Sequence, residues 1–342
     1  MNIPHSHDSR AVAARSSPPT LADVARLAGV SRQTVSNVVR GTGRVGEDTR
    51  VRVAAAIAET GFTPHRGAAS LRSGRADRLA YLVPAGEPRA ENTILMDFLQ
   101  HLVGAAAQRG QQVLVVQADR SDVAVLDDVV RTRSVDGMVL SAVVEDDPRV
   151  THLQRLGVRF VCFGRTLQGA WVDVDNRDGM RRATRAVLDL GHRRVAFVGY
   201  LSPRRWDLDR EEGYSDAINE ARLRRRVVTV DSDEPAAAIQ QLLTKQNRPT
   251  ALVTGSDVLA AACYAAAPRA GLKVGRDVTV VSFEGTTAAT LLTPSLATMR
   301  IPLARISERI VARLLGESLN GVGEVLDTEF IPGESLSELV AG

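Results

Sequence analysis

Residues 31–39 carry side chains that are suited to reading the edges of DNA bases. Arg32 and Gln33 are consecutive and Asn37 follows Gln33 by four residues, so a helix would present all three near its first turns. Arginine recognises guanine O6 and N7, and glutamine or asparagine recognises adenine N6 and N7, in a major groove that admits one helix. The spacing therefore predicts a helix that reads double-stranded DNA.

Hydroxyl and guanidinium groups nearby could contact phosphates and fix the register of such a helix. These are Thr20, Ser31, Thr34, Ser36, Arg40 and Arg50. The charge distribution agrees, because residues 1–78 have a net charge of +6 while the whole chain has only +3. A basic head of this kind favours a polyanionic partner. A charged tail that only keeps the protein soluble is the alternative that charge alone leaves open.

Three short helical patterns within residues 20–61 would position these side chains. Thr20 and Ser31 are predicted N-caps, Asp23 completes a capping box with Thr20, and Gly29 and Gly61 are stop signals. A helix, a short turn with glycine and a second helix form the helix-turn-helix pattern. A surface helical hairpin with incidental polar residues is the alternative, and the complete three-helix context counts against it. The predicted apolar faces are Leu21, Val24, Ala25 and Ala28, then Val35, Val38 and Val39, then Val53, Ala56 and Ile57.

From residue 78 onward, apolar strands alternate with helical segments. This alternation predicts an α/β core of two doubly wound parallel-sheet lobes. We expect lobe 1 to comprise residues 78–175 completed by 303–331, and lobe 2 to comprise 176–302. The predicted strands are 79–84, 112–118, 136–142, 159–165, 194–200, 250–255 and 278–283. The full predicted organisation is a disordered arm (1–17), a helix-turn-helix domain (18–63), a linker (64–77) and a core (78–342).

Composition and motifs exclude several classes of protein. The 342 residues contain no apolar run of the about 18 residues that a membrane helix needs, and no secretory signal. Cys162 and Cys263 are far apart, which rules out a disulfide framework and favours the cytoplasm. Enzyme motifs such as a P-loop, HExxH and GxSxG are missing, and residues 41–46 match GxGxxG without the strand that a dinucleotide site requires. We therefore expect no catalytic site, cofactor, metal or membrane partner.

The chain resembles the lactose-repressor (LacI/GalR) family of bacterial transcription regulators. The resemblance is carried by TLADVARLAGVS, QTVSNVV, TRVRVAAAIAETGFTPHRGAASLRSGR, VDVDNRDGMRRATRAVLDLGHRRVAFVG and GLKVGRDVTVVSF. It implies a DNA-binding head, a hinge helix, and a two-lobed core that resembles the periplasmic binding proteins and binds a small molecule. It also implies a dimer or tetramer whose DNA affinity responds to that molecule.

The resemblance also implies which residues form the hinge contacts. Leu71, with Ala68 and Arg66 beside it, would enter the minor groove at the operator centre. An apolar wedge partly unstacks a base step and kinks the duplex, so more protein surface reaches the DNA.

In the core, the resemblance implies that Arg210 grips the effector, with Glu284 and the Ser256–Asp257 pair beside it. Trp206 could stack on a sugar ring or belong to the core. Ser256 and Glu284 depart from the family's usual Asn and Asp, and Gly164 stands where an acidic or polar residue is common. The sequence does not name the effector.

Together these observations predict a cytoplasmic homodimeric repressor that binds a near-palindromic operator on the nucleoid, because two-fold symmetry is mirrored in the operator. Two alternatives remain: a DNA-binding protein without an effector, and a sugar or nucleoside enzyme fused to a DNA-binding head. Whether the effector releases or promotes DNA binding stays open.

Overall fold

The computed structural model describes residues 19–63, 75–84, 92–118, 123–201, 204–230, 234–317 and 322–339. The chain forms two compact units, Met1–Arg75 and Ala76–Gly342. The predicted arm at 1–17 lies outside the described residues. In the described part of the chain, no helix is both long and apolar enough to cross a membrane.

The first unit contains a helix-turn-helix head of three helices: α1 (Leu21–Ala28), α2 (Arg32–Arg40) and α3 (Glu47–Thr60). The carboxylate of Asp23 accepts the backbone N–H of Thr20 at 3.0 Å, and Ser31 Oγ accepts the backbone N–H of Thr34 at 3.1 Å. These contacts confirm the predicted caps of α1 and α2. Gly29 follows α1 with a φ of 64°, a left-handed conformation that glycine adopts without strain.

The predicted apolar faces pack the three helices together. Val24, Val35 and Val53 come from α1, α2 and α3, and all three are fully buried. The third helix begins at Glu47, directly after Gly46. Glu47 and Asp48 lie in its first turn, where their charges interact favourably with the helix dipole.

The second unit contains two six-stranded sheets, each at the centre of one lobe. In lobe 1 the strand order is β11-β5-β4-β3-β1-β2, and every neighbouring pair is parallel. Its strands are β1 (Arg78–Pro84), β2 (Gln112–Ala118), β3 (Gly137–Leu140), β4 (Phe160–Phe163), β5 (Ala170–Val174) and β11 (Gly323–Leu326). Its helices are α4 (Asn92–Ala107), α5 (Ala124–Arg131), α6 (Pro148–Arg155) and α11 (Leu303–Leu314).

In lobe 2 the strand order is β12-β10-β9-β8-β6-β7, and only β12 is antiparallel to its neighbour within this described sheet. Its strands are β6 (Val195–Tyr200), β7 (Val227–Val230), β8 (Ala251–Thr254), β9 (Thr279–Glu284), β10 (Ala297–Arg300) and β12 (Glu329–Ile331). Its helices are α7 (Asn176–Asp189), α8 (Arg205–Glu220), α9 (Pro235–Leu243), α10 (Asp257–Arg269) and a 3₁₀ turn at Thr287–Leu291. The two parallel-sheet lobes confirm the predicted fold class.

The C-terminal segment differs from the prediction. Residues 303–331 were expected to complete lobe 1, but β11 joins lobe 1 and β12 joins lobe 2. The chain therefore crosses between the lobes three times: after β5, after β10 and between β11 and β12. Thr328, between the last two strands, accepts hydrogen bonds from Arg182 of α7 at its carbonyl and hydroxyl oxygens. This contact holds the last crossover against lobe 2.

Candidate functional site

The exposed face of α2 carries the predicted base-reading residues. Arg32 and Gln33 are exposed, and Gln33 Nε2 donates a hydrogen bond to Asn37 Oδ1 at 3.0 Å. The bond aligns two amide groups one helical turn apart, which suits the recognition of adjacent bases. The structure therefore brings all three predicted side chains to one helix face.

The residues predicted to contact phosphates differ in how exposed their side chains are. Thr20, Ser31 and Arg50 are exposed and Thr34 is half-buried. Ser36 is only 7% exposed, so the expectation that it stands beside Asn37 on the exposed face is wrong. Its small side chain fits into the head beside the buried Val35. The side chain of Arg40 lies outside the description, as do the hinge residues Arg66, Ala68 and Leu71.

A cleft of about 790 Å³, including its open mouth, lies between the two lobes of the core. Its floor is at the crossovers, where Val174, Asn176 and Ile301 line it. Lobe 1 contributes mainly apolar side chains, and lobe 2 contributes the polar ones. The principal lining residues are Ile94, Leu95, Phe163 and Asp173 from lobe 1, and Tyr200, Trp206, Asp207, Arg210, Ser256 and Glu284 from lobe 2.

Arg210 is the most heavily restrained side chain of the cleft. Its Nε donates to Asn176 Oδ1 at 2.9 Å, and its Nη1 donates to the carbonyl of Gly255 at 2.7 Å and to Glu284 Oε1 at 3.2 Å. The guanidinium carbon lies 4.3 Å from the ring centre of Phe283. Among the described residues, none accepts a hydrogen bond from Nη2. The guanidinium is thus preorganised, with a donor left for a bound molecule.

Glu284, at the end of β9, is 8% exposed, and burial raises its pKa to about 7 although Arg210 opposes the shift. Its φ of 113° lies in a region that side chains other than glycine rarely adopt. Backbone strain of this kind clusters at ligand sites, where the surrounding structure enforces it. The carboxylate is therefore placed on the cleft wall at a conformational cost.

The structure does not place Asp257 on the cleft wall. Its Oδ2 accepts the backbone N–H and the hydroxyl of Thr286 at 2.6 and 2.9 Å, and its Oδ1 accepts the hydroxyl of Thr298 at 3.0 Å. Ser256, which precedes it, lines the cleft and caps α10. Ser256 is the N-cap with an extended backbone and Asp257 is the first residue of the helix, so their side chains point in different directions and only Ser256 faces the cleft.

Trp206 lies on the cleft wall and is half-buried, so it is not a plain core residue. The guanidinium of Arg204 lies 5.4 Å from the centre of its indole ring. One face of an indole is the surface on which a sugar ring stacks. The tryptophan is therefore placed where ring stacking is geometrically available.

Sequence reasoning missed five polar residues that line the cleft: Asp173, Asn176, Tyr200, Arg204 and Asp207. Asp173 on β5 is 6% exposed, and burial raises its pKa to about 6. The nearest guanidinium atom, Arg165 Nε, lies 3.6 Å from Asp173 Oδ2, beyond hydrogen-bond range. Burial likewise raises the pKa of Tyr200 to about 12. The Val-Asp-Val pattern at residues 172–174 was the available signal for Asp173, since a polar residue interrupts a buried strand there.

Comparisons with known proteins agree with this architecture. The model described as bacterial regulatory proteins, lacI family, matches residues 20–65, and the periplasmic binding protein-like domain matches residues 184–337. The HTH-type transcriptional regulator CelR of Thermobifida fusca is 31% identical over 334 residues, which cover 93% of this chain and 98% of CelR. This relative is named as a transcription regulator rather than an enzyme.

Two solved structures show the same arrangement. A complex of the transcriptional regulator CelR with cellobiose is 29% identical, covers 93% of this chain and 99% of its own, and has a TM-score of 0.67. The lac repressor dimer bound to operator and the anti-inducer ONPF is 23% identical, with a TM-score of 0.79 over 94% of this chain and 100% of its own. The second likeness concerns the fold. With the identity to CelR and the match of the head, these comparisons show that the chain belongs to the LacI family of bacterial regulatory proteins.

Proposed function

We propose that the protein is a cytoplasmic repressor that binds a near-palindromic operator as a homodimer and loses or gains operator affinity when a small polyhydroxylated molecule enters its cleft. Within this proposal, residues 18–63 bind DNA, residues 64–77 form the hinge, and the core from residue 78 binds the effector and dimerises. The cleft binds its occupant and performs no chemistry on it.

The DNA-binding part is supported by the exposed face of α2. Arg32, Gln33 and Asn37 stand together on a capped helix, and the family model matches this region. Thr20, Ser31, Thr34 and Arg50 surround them with groups that bond phosphates. In the same proposal Leu71, Ala68 and Arg66 enter the minor groove.

The observation that carries the effector part is the Arg210–Glu284 pair on the cleft wall. A guanidinium with a remaining donor and a carboxylate with a remaining oxygen, 3.2 Å apart, match the paired hydroxyls of a sugar. Trp206 and Ser256 line the same wall, and Asp173 faces them from lobe 1. The CelR relative is solved with cellobiose, which makes a disaccharide the first ligand to test.

The proposal is tested with an operator obtained by selection from random duplexes. Its affinity for the full chain is then titrated without sugar, with cellobiose, and with a panel of other mono- and disaccharides. We expect a two-fold symmetric sequence, and one sugar that changes its affinity by about tenfold or more, as allosteric couplings typically do. A selected sequence without symmetry would contradict the dimeric operator, and no response to any polyol or sugar would contradict the effector.

A further inference from the structure

A hydrogen bond joins the two lobes beside the cleft. Asp97 Oδ2 on α4 of lobe 1 accepts the backbone N–H of Thr287 at 2.7 Å. Thr287 is the first residue of the 3₁₀ turn of lobe 2 and lies 190 positions along the chain. Within the described part of the chain, this is the sole hydrogen bond of the Asp97 side chain. It adds a contact between the lobes that is separate from the three crossovers.

The two partners belong to the elements that form the cleft walls. Ile94 and Leu95, within one turn of Asp97 on α4, line the cleft from lobe 1. Glu284, three residues before Thr287, lines it from lobe 2. A bond between Asp97 and Thr287 therefore holds the apolar wall and the charged wall at a fixed separation.

The donor is itself held in place by a buried group. Asp257 accepts hydrogen bonds from the N–H and hydroxyl of Thr286 and from the hydroxyl of Thr298. The backbone from Glu284, with its φ of 113°, to Thr287 is thus fixed at both ends. The Thr287 N–H therefore keeps a fixed position relative to Glu284 on the cleft wall.

From this arrangement we infer that Asp97 is a positioning residue for the cleft: its bond to Thr287, the Asp97–Thr287 latch, holds the lobes closed over the occupant. The latch acts through the separation of the walls and does not touch the ligand. Its link to a ligand rests on the proposed effector function, whereas the latch itself is testable without any ligand.

Two substitutions remove the latch from opposite sides. Asp97→Ala removes the acceptor, while Asp97→Asn keeps an oxygen that accepts the N–H. Thr287→Pro removes the donor, and proline is tolerated at the first position of a helix. Thr286 has a φ of −69° and a ψ of 158°, which suits a residue before proline. Gln100→Ala, at an exposed position of the same helix, is the matched control.

The first measurement is hydrogen exchange of the backbone amides of residues 287–292 in the full chain without ligand. We expect Asp97→Ala to speed exchange in this lobe 2 segment by about three- to tenfold, the loss of one modest hydrogen bond. Asp97→Asn and Gln100→Ala should leave the rate at that of the parent chain. Unchanged exchange in Asp97→Ala would overturn the latch.

The second measurement is a double-mutant cycle on urea unfolding. The effect of Asp97→Ala on the unfolding equilibrium constant should be about three- to tenfold in the parent chain and vanish in the Thr287→Pro background. An equal effect in both backgrounds would show that the two residues do not interact, and would overturn the proposal.

The third measurement links the latch to binding. A sugar that binds the parent chain should bind Asp97→Ala and Thr287→Pro about three- to tenfold more weakly, and should bind Asp97→Asn as the parent does. Unchanged affinity in both latch variants would show that the bond does not hold the cleft closed. If cellobiose and the sugar panel all fail to bind the parent chain, the proposed effector class is wrong, while the exchange and cycle experiments still decide the latch.

Discussion

Arg210→Met should destabilise the core because it leaves Glu284 buried without its counter-charge. Glu284 is 8% exposed and lies 3.2 Å from Arg210 Nη1, and the substitution also leaves the oxygens of Asn176 and Gly255 without their donor. Removing one partner of a buried ion pair costs about 3–5 kcal/mol. Glu284 can limit this cost by taking up a proton. From its ordinary pKa of 4.5, protonation at pH 7 costs about 3.4 kcal/mol, since each unit is worth about 1.36 kcal/mol. Because the pKa of Glu284 is already about 7 in the parent chain, most of this cost is present there too, and the unpaired carboxylate adds only about 1 kcal/mol in the variant.

The same reasoning predicts the pH dependence and the rescue. At pH 5 Glu284 is protonated in both the parent chain and Arg210→Met, because its pKa is about 7 even beside Arg210. The charge-dependent part of the destabilisation, about 1 kcal/mol at pH 7.5, should therefore vanish at pH 5. The double variant Arg210→Met/Glu284→Gln buries no charge at this pair and should recover at least about 2 kcal/mol at pH 7.5.

The assay is urea unfolding of the core followed by circular dichroism, at both pH values, for the parent chain and the two variants. A single-variant cost that does not change with pH, or a double variant as unstable as Arg210→Met alone, would refute the assignment of the cost to the unpaired Glu284 carboxylate. The effector response should be lost in every variant that lacks the guanidinium.

Three further predictions concern the head and the cleft. Arg32→Ala should weaken operator binding by about 1–3 kcal/mol and relax one base preference per half-site. Arg50→Ala should weaken binding to all DNA sequences alike and lower the slope of log affinity against log salt concentration by about one. Equal losses of affinity for operator and random DNA in Arg32→Ala would contradict base reading. Trp206→Ala should lower sugar affinity by about tenfold because the stacking on the indole is lost, which calorimetry would measure. Operator binding without sugar should stay unchanged in an operator titration. Unchanged sugar affinity would show that the indole does not contact the sugar. Because burial raises the pKa of Glu284 from 4.5 to about 7, the native state binds more protons than the unfolded chain in this window, so core stability should fall as pH rises from 4.5 to 7. Glu284→Gln should flatten this slope in urea unfolding, and an identical slope in the variant would assign it to other groups.

Local chemistry made the head predictable from the sequence. Caps such as Ser31 and stop signals such as Gly29 act within one turn, and the apolar spacing of Val24, Val35 and Val53 identifies the packed faces. The alternation of strands and helices predicted both lobes, because each strand or helix is also identified by the pattern of its own residues. The prediction that Ser36 is exposed was wrong, because a small polar residue at the border between the apolar and polar faces of a helix can be either buried or exposed.

Non-local pairing limited the rest. Residues 303–331 were expected to complete lobe 1, and only the tertiary arrangement divides their two strands between the two sheets. Asp257 follows a cleft residue in sequence, yet its partners Thr286 and Thr298 are 29 and 41 residues away. The Asp97–Thr287 bond joins residues on different lobes, so no sequence window contains it.

The central claim is that occupancy of the cleft controls operator affinity. The most direct measurement follows the operator dissociation constant as sugar is titrated from zero to saturation in the parent chain and in Trp206→Ala, at one salt concentration. In the parent chain, saturating sugar should change the operator dissociation constant by about tenfold or more. In Trp206→Ala, the sugar concentration at half of this change should be about tenfold higher, while the operator affinity without sugar stays the same. A sugar response that is identical in both proteins would contradict it, because the effector would then act from outside the cleft.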